Sequence, residues 1–350
     1  MKASYKKHLL EFKVPSGTSR GILRTKETWF LILSDKNSQG IGECGLLRGL
    51  SIDDRPDYEL KLQWVCDNIS LGKDALYAAL TEFPSIQFGV EMAFKSLDSQ
   101  DAFNLFPSEF TTSEKSIPIN GLIWMGSEHF MKEQIAEKIE QGFSCIKMKI
   151  GAIDFKSEIE VLKSMREEFN ASEIEIRVDA NGAFLPSEAL EKLKRLSDLE
   201  LHSIEQPIKQ GQWQEMARLC EDTPLDIALD EELIGVFSEE RKTALLETIK
   251  PQYIILKPSF IGGFIGADTW ISLAEENGID WWVTSALESN IGLNAISQYT
   301  FTKSSKLPQG LGTGSLYTNN VLSPLEITEG TIRYSQKRKW NLELLNQNIE

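Results

Sequence analysis

Six charged residues recur at intervals that suit proton chemistry beside a carboxylate. Lys147 and Lys149 stand two apart in CIKMKI. Asp179 to Glu205 is 26 residues, Glu205 to Asp230 is 25, and Asp230 to Lys257 is 27. Each of these closes a short apolar run: IRVD, SIE, IALD and IILK. Three carboxylates gathered in one place repel one another unless compensated. A divalent cation is the natural compensation, and an all-oxygen set suits Mg²⁺ or Mn²⁺ better than zinc. Two lysines spaced by two on a strand share one face. Neighbouring ammonium groups disfavour each other's protonation, which moves a lysine toward the range of a working base. Lys257 would face the pair across the site. A metal with opposed lysines can remove a proton next to a carboxylate and hold the enediolate charge that results.

Such a site needs elements that deliver one polar residue per repeat to a common rim. From Pro118 onward, short apolar strands recur at 117–123, 145–150, 174–179, 201–205, 225–230, 253–257 and 280–284. Amphipathic helical stretches at 129–141, 155–169, 187–196 and 213–221 lie between several of them. This alternation predicts an α/β fold with a parallel sheet. No GxGxxG or GxxxxGK[ST] motif is present, which favours a TIM-type barrel over a dinucleotide-binding sheet. In such barrels the functional groups sit at the C-terminal strand ends. The first 115 residues have another rhythm: strands at 9–14 and 28–34 flank a flexible SGTSRG loop at 16–21. A hairpin turn at 35–40, a short strand IGECGLL, and helices at 58–71 and 88–103 follow. The expected organisation is an α+β domain over 1–115 and a barrel over 116–316. The stretch from Tyr317, which contains TIRYSQ, is expected to return to the first domain.

The 350 residues carry 37 basic and 52 acidic side chains, a formal charge of −15, which argues against nucleic acid or an anionic membrane as partner. No apolar run approaches a membrane span, and the N-terminus lacks a secretory pattern. Cys44, Cys66, Cys145 and Cys220 form no CxxC pair, which fits a reducing, cytoplasmic setting. The three histidines, His8, His129 and His202, all precede the last barrel strands, so no Ser–His–Asp triad is supported. Trp124, Trp281 and Trp282 read as core. After the seventh strand, SALESNIG could bind a substrate carboxylate through Ser285, Ser289 and backbone N–H groups at a helix start. Gly310, Gly312 and Gly314 allow close backbone approach nearby.

KMK, VDAN, IEQP, LDEE, LKPS and SALESNIG, at these spacings, resemble the enolase superfamily, and within it the lysine-pair subgroup of muconate lactonizing enzymes. INGLIWMG, GLGTGSLYTNN and SGTSRG before KETWF are similar to the o-succinylbenzoate synthase family of menaquinone biosynthesis. The resemblance implies a modified (β/α)7β TIM-type barrel under an N-terminal α+β capping domain. It implies Asp179, Glu205 and Asp230 as Mg²⁺ ligands and Lys149 as general base and then acid. Lys147 would tune that base, and Lys257 would stabilise the enediolate. Arg20 in the SGTSRG loop would close over a small dicarboxylate substrate, with Ser285, Ser289 and Gly312 taking its succinyl carboxylate. The implied reaction is syn-elimination of water from 2-succinyl-6-hydroxy-2,4-cyclohexadiene-1-carboxylate. N-succinylamino acid racemisation or another epimerisation by the same groups is the alternative. The absence of an acidic DxD at the last strand counts against dipeptide epimerases. The sequence leaves a homo-oligomer open.

Overall fold

In this computed structural model, which describes every residue except Ser19, Arg20, Asn37 and 344–350, the chain builds a small antiparallel sheet before it builds a barrel. Strands β1 (Lys2–Thr18), β2 (Gly21–Asp35) and β3 (Ser38–Gly45) pair in that order. Alternation along β2 separates two cores. Trp29, Leu31 and Leu33 pack with Tyr58, Leu62 and Leu76, whereas Phe30 joins the large core that continues into the barrel. Helices α1 (Tyr58–Asp67), α2 (Lys73–Ala78), α3 (Pro84–Asp98) and α4 (Glu109–Thr112) follow. The helix α3 starts four residues before its expected position because Pro84 opens its first turn, where a missing N–H costs nothing.

The described residues of SGTSRG do not form a free loop. Residues 16–18 extend β1 and Gly21 opens β2, with Ser16 opposite Leu23 and Gly17 opposite Ile22. Gly17 also bridges to Met125, and a Cβ there would lie 2.7 Å from the Met125 carbonyl oxygen. Backbone pairing therefore extends this hairpin as far as Thr18 and Gly21, and the expected substrate residue Arg20 lies outside the described residues. The other edge of β1 is covered as well: Lys13 N–H donates to the Leu316 carbonyl at 2.8 Å, and Phe12 bridges to Tyr317.

After β4 (Ile117–Pro118) comes the parallel sheet: β5 (Gly121–Ile123), β6 (Cys145–Lys149), β7 (Glu175–Asp179), β8 (Ser203–Glu205), β9 (Ile227–Leu229), β10 (Tyr253–Leu256) and β11 (Asp280–Val283). Each pairs with its sequence neighbour. Between and after them run α5 (Glu128–Glu140), α6 (Phe155–Glu168), α7 (Pro186–Ser197), α8 (Trp213–Asp222), α9 (Glu239–Ile249), α10 (Pro258–Ile261), α11 (Gly263–Glu276) and α12 (Asn290–Thr302). The ring closes through Gln309 and Gly310, which bridge to Ile119 on one side and Thr284 on the other. This is a (β/α)7β barrel with a very short eighth strand. The expected strand 117–123 is split by that closure, because Asn120 N–H donates to the Gln309 carbonyl at 3.0 Å. The TIRYSQ stretch supplies β13 (Thr331–Tyr334), which pairs with β12 (Leu325–Thr328) and β4.

Candidate active site

The parallel register sets the site. Lys149 stands opposite Asp179, and Asp179 opposite Glu205, so three adjacent strand ends put their last side chains in one row. Lys147 points the same way two residues earlier. Asp230 and Lys257 follow directly on β9 and β10. All three carboxylates are buried. Lys147 bridges Glu205 and Asp179, the latter at 3.1 Å; Lys149 contacts Asp179 at 2.8 Å; Lys257 pairs with Asp230 and lies 4.0 Å from Glu205. The structure thus brings together all six residues that the sequence spacing singled out.

Burial opposes charge on the three carboxylates, Lys147 and Lys257, and their neighbours decide which keep it. Lys147 and Lys149 hold the Asp179 carboxyl well below the usual carboxylate range. Lys257 and Lys147 depress Asp230. Glu205 goes the other way: burial and then the Asp179 charge push its carboxyl well above the ordinary range. The Lys147 ammonium is held above the ordinary lysine value, because Asp179, Glu205 and Asp230 outweigh its burial. The expected mutual depression of the paired lysines therefore does not govern Lys147, since three carboxylates dominate its surroundings.

A divalent cation fits this donor set. Among the described residues no three Asp, Glu, His or Cys side chains converge on one point; lysine ammonium groups bridge the carboxylates instead. Yet Glu205 Oε1 is buried without a hydrogen-bond partner, and its carboxyl carries the cost of two like-charged neighbours. A cation shared by Asp179, Glu205 and Asp230 would satisfy that oxygen and relieve that repulsion. A cation there would add positive charge beside Lys147 and Lys257, which suits the cavity to an anionic ligand.

A cavity of about 1020 Å³ opens over these groups, lined among others by Lys147, Lys149, Lys257, Ser285, Gly312 and Ser16 of the hairpin. Trp124, expected as core, is half-buried on its wall. Ser285 lines the cavity, but its hydroxyl donates to Glu288 Oε2 at 2.7 Å. Ser289 lies away from the wall, fully buried. Its hydroxyl and N–H both donate to Glu43 of β3, at 2.5 and 2.8 Å, and its hydroxyl oxygen also caps α12. Two residues escaped the sequence reading. Asn181 accepts from the Lys149 ammonium at 2.8 Å and donates to Glu231 at 3.1 Å, from a left-handed backbone (φ 44°) that Asn tolerates. Its signal was its place two residues past Asp179 in VDAN. Lys26, wholly enclosed, donates to the Leu287 carbonyl at 2.9 Å, where Tyr317 also donates at 2.6 Å. Nothing in the local sequence of Lys26 announces that distant partner.

A barrel with paired strand-end carboxylates and opposed lysines defines a class, and the Enolase C-terminal domain-like model matches residues 131–338. The chain belongs to that family and is an enzyme of the enolase superfamily. It is 48% identical to o-succinylbenzoate synthase of Desulfotalea psychrophila, across 96% of this chain and 99% of that protein. The crystal structure of MenC from Desulfotalea psychrophila LSv54 superposes with a TM-score of 0.85 at 44% identity, covering 95% of this chain and 99% of that one. N-succinylamino acid racemase of Thermus thermophilus is 33% identical over 45% of this chain and 40% of its own. The fold is also that of a dipeptide epimerase from Enterococcus faecalis V583, complexed with Mg and a dipeptide, at a TM-score of 0.82 and 17% identity over 95% of this chain and 96% of that one.

Proposed function

We propose that this chain is a carbon–oxygen lyase that removes water from 2-succinyl-6-hydroxy-2,4-cyclohexadiene-1-carboxylate to give 2-succinylbenzoate, as a cytoplasmic step of menaquinone biosynthesis. The observation that carries this reading is the 48% identity to the Desulfotalea synthase over nearly the full length of both chains. When bound by Asp179, Glu205 and Asp230, Mg²⁺ supplies positive charge that makes the carbon-bound proton beside a substrate carboxylate more acidic. Lys149, in its neutral form, takes that proton. Lys257, on the opposite side, holds the negative charge that spreads onto the carboxylate oxygens. Lys149 then returns the proton to the departing hydroxyl on the same face, and water leaves as the ring becomes aromatic. Lys147, wedged between Asp179 and Glu205, keeps the carboxylates in place and sets the field at Lys149. The wall at Ser285 and Gly312 receives the succinyl carboxylate. Arg20 adds positive charge for the substrate carboxylates, and Ser289 acts indirectly by fixing the start of α12.

Racemisation of N-succinylamino acids is the second reading, favoured by the partial likeness to the Thermus racemase. The two part at the fate of the proton. The test compares kcat/KM for diene loss with kcat/KM for exchange of the α-proton of an N-succinylamino acid in D₂O. Faster diene loss is expected. Exchange outrunning diene loss would overturn the dehydratase assignment in favour of the racemase.

A further inference from the structure

The chain around Asn120 alternates between two environments. Ile119 and Ile123 enter the core beneath the helices, whereas Asn120, Leu122 and Trp124 line the catalytic cavity. Asn120 is only 5% exposed, and its Oδ1 is buried without a hydrogen-bond partner among the described residues. Its backbone N–H is spent on closing the ring at Gln309. Gly312, where a Cβ would lie 3.6 Å from the Asn120 carbonyl oxygen, brings no side chain beside it, and Leu122 on the same face is apolar. An unpaired buried amide is costly, and an apolar residue there would avoid the cost. Retention of the amide on a cavity wall is accounted for if a ligand completes it.

We propose that Asn120 is a substrate-binding residue whose amide N–H donates to a carbonyl or carboxylate oxygen of the bound dicarboxylate. With Oδ1 enclosed, the N–H₂ end is the one the side chain can turn to the cavity, and that end can only donate. A substrate with two carboxylates and a ketone brings acceptors in excess, which selects the donor end. This inference rests on the dicarboxylate substrate proposed above.

The experiment titrates 2-succinylbenzoate, with Mg²⁺ present, into the wild type, Asn120→Ala and Asn120→Asp by calorimetry, and records the ligand-free Tm of each. Asn120→Ala should bind about tenfold more weakly. Asn120→Asp should bind more weakly still, because it turns a carboxylate toward an anionic ligand. The ligand-free Tm of Asn120→Ala should equal or exceed that of the wild type, since an unpaired group has been removed. Unchanged affinity in both variants, or affinity and Tm falling together in Asn120→Ala, would overturn the assignment, as would a wild type that binds no dicarboxylate. A wild type that binds the product but leaves the cyclohexadiene untouched would sink the dehydration reading alone, and the Asn120 comparison would still read out.

Discussion

The strand ends of the barrel and the seam between the barrel and the N-terminal sheet both bury charge, and they balance it in opposite ways. At the strand ends, three carboxylates face three lysines, and Glu205 remains frustrated, with an unpaired oxygen and a carboxyl pushed upward. At the seam, Glu43 accepts from Ser289 N–H, Ser289 Oγ, Gly292 N–H and Thr28 Oγ, at 2.5 to 2.9 Å, and nothing is left over. Glu91 of α3 takes the Phe264 and Ile265 N–H groups at the start of α11, so its oxygens are paired although burial still pushes its carboxyl up. Satisfied charge holds the two parts together, whereas unsatisfied charge waits for a ligand. Substitutions at the rim should therefore cost activity, and substitutions at the seam should cost stability.

The largest effect belongs to the rim. Lys149→Ala should lower turnover by roughly 10³-fold or more while circular dichroism and Mg²⁺ affinity stay near wild type. Retained turnover would remove Lys149 as the base. Glu205→Gln comes next. It should weaken Mg²⁺ binding by more than the roughly 10–100-fold typical of an outer-shell partner, with turnover falling in step. Calorimetric Mg²⁺ affinity equal to wild type would take Glu205 out of the metal shell. At the seam, Glu43→Ala strands four donors and should lose about 3 kcal/mol of unfolding free energy in urea. A variant that kept its stability and lost only turnover would erase the contrast between the two regions.

The smallest effect is one of pH. Burial pushes the Glu91 carboxyl up to about 7, against the pull of the two N–H groups. Its folded value exceeds its unfolded one, so the folded state holds this proton more tightly. That contribution is fully present below the ordinary glutamate range, is lost as pH rises toward about 7, and changes no further above it. Relative to Glu91→Gln, the wild type should lose about 3 kcal/mol between pH 4.5 and 8. Parallel stability profiles for the two proteins would show that Glu91 does not titrate in this window.

The same contrast explains what could be read from the sequence. The barrel was legible because each βα unit repeats, and each repeat ends an apolar strand in a charged residue at nearly constant spacing. Lys147, Lys149, Asp179, Glu205, Asp230 and Lys257 all fall in one place for that reason. The seam was not legible, because its meaning lies in partners far along the chain. Ser289 looked like a substrate ligand from its own neighbourhood, and its partner Glu43 is 246 residues away. SGTSRG looked like a loop by composition, yet cross-strand pairing and the approach of Met125 draw most of it into the hairpin. Trp124 looked like core because indole rings usually are, and only the closure of the ring at Gln309 shows which face of its strand meets the cavity. The split of the first barrel strand has the same origin.

The central claim is that opposed lysines and a cation on Asp179, Glu205 and Asp230 strip water from a cyclohexadiene carboxylate. Its most direct test follows the diene absorbance of 2-succinyl-6-hydroxy-2,4-cyclohexadiene-1-carboxylate with purified protein and Mg²⁺, with and without EDTA. The account predicts rapid loss of the diene signal, abolished by EDTA and restored by excess Mg²⁺. A signal that does not decay, or that decays equally with EDTA present, would contradict it.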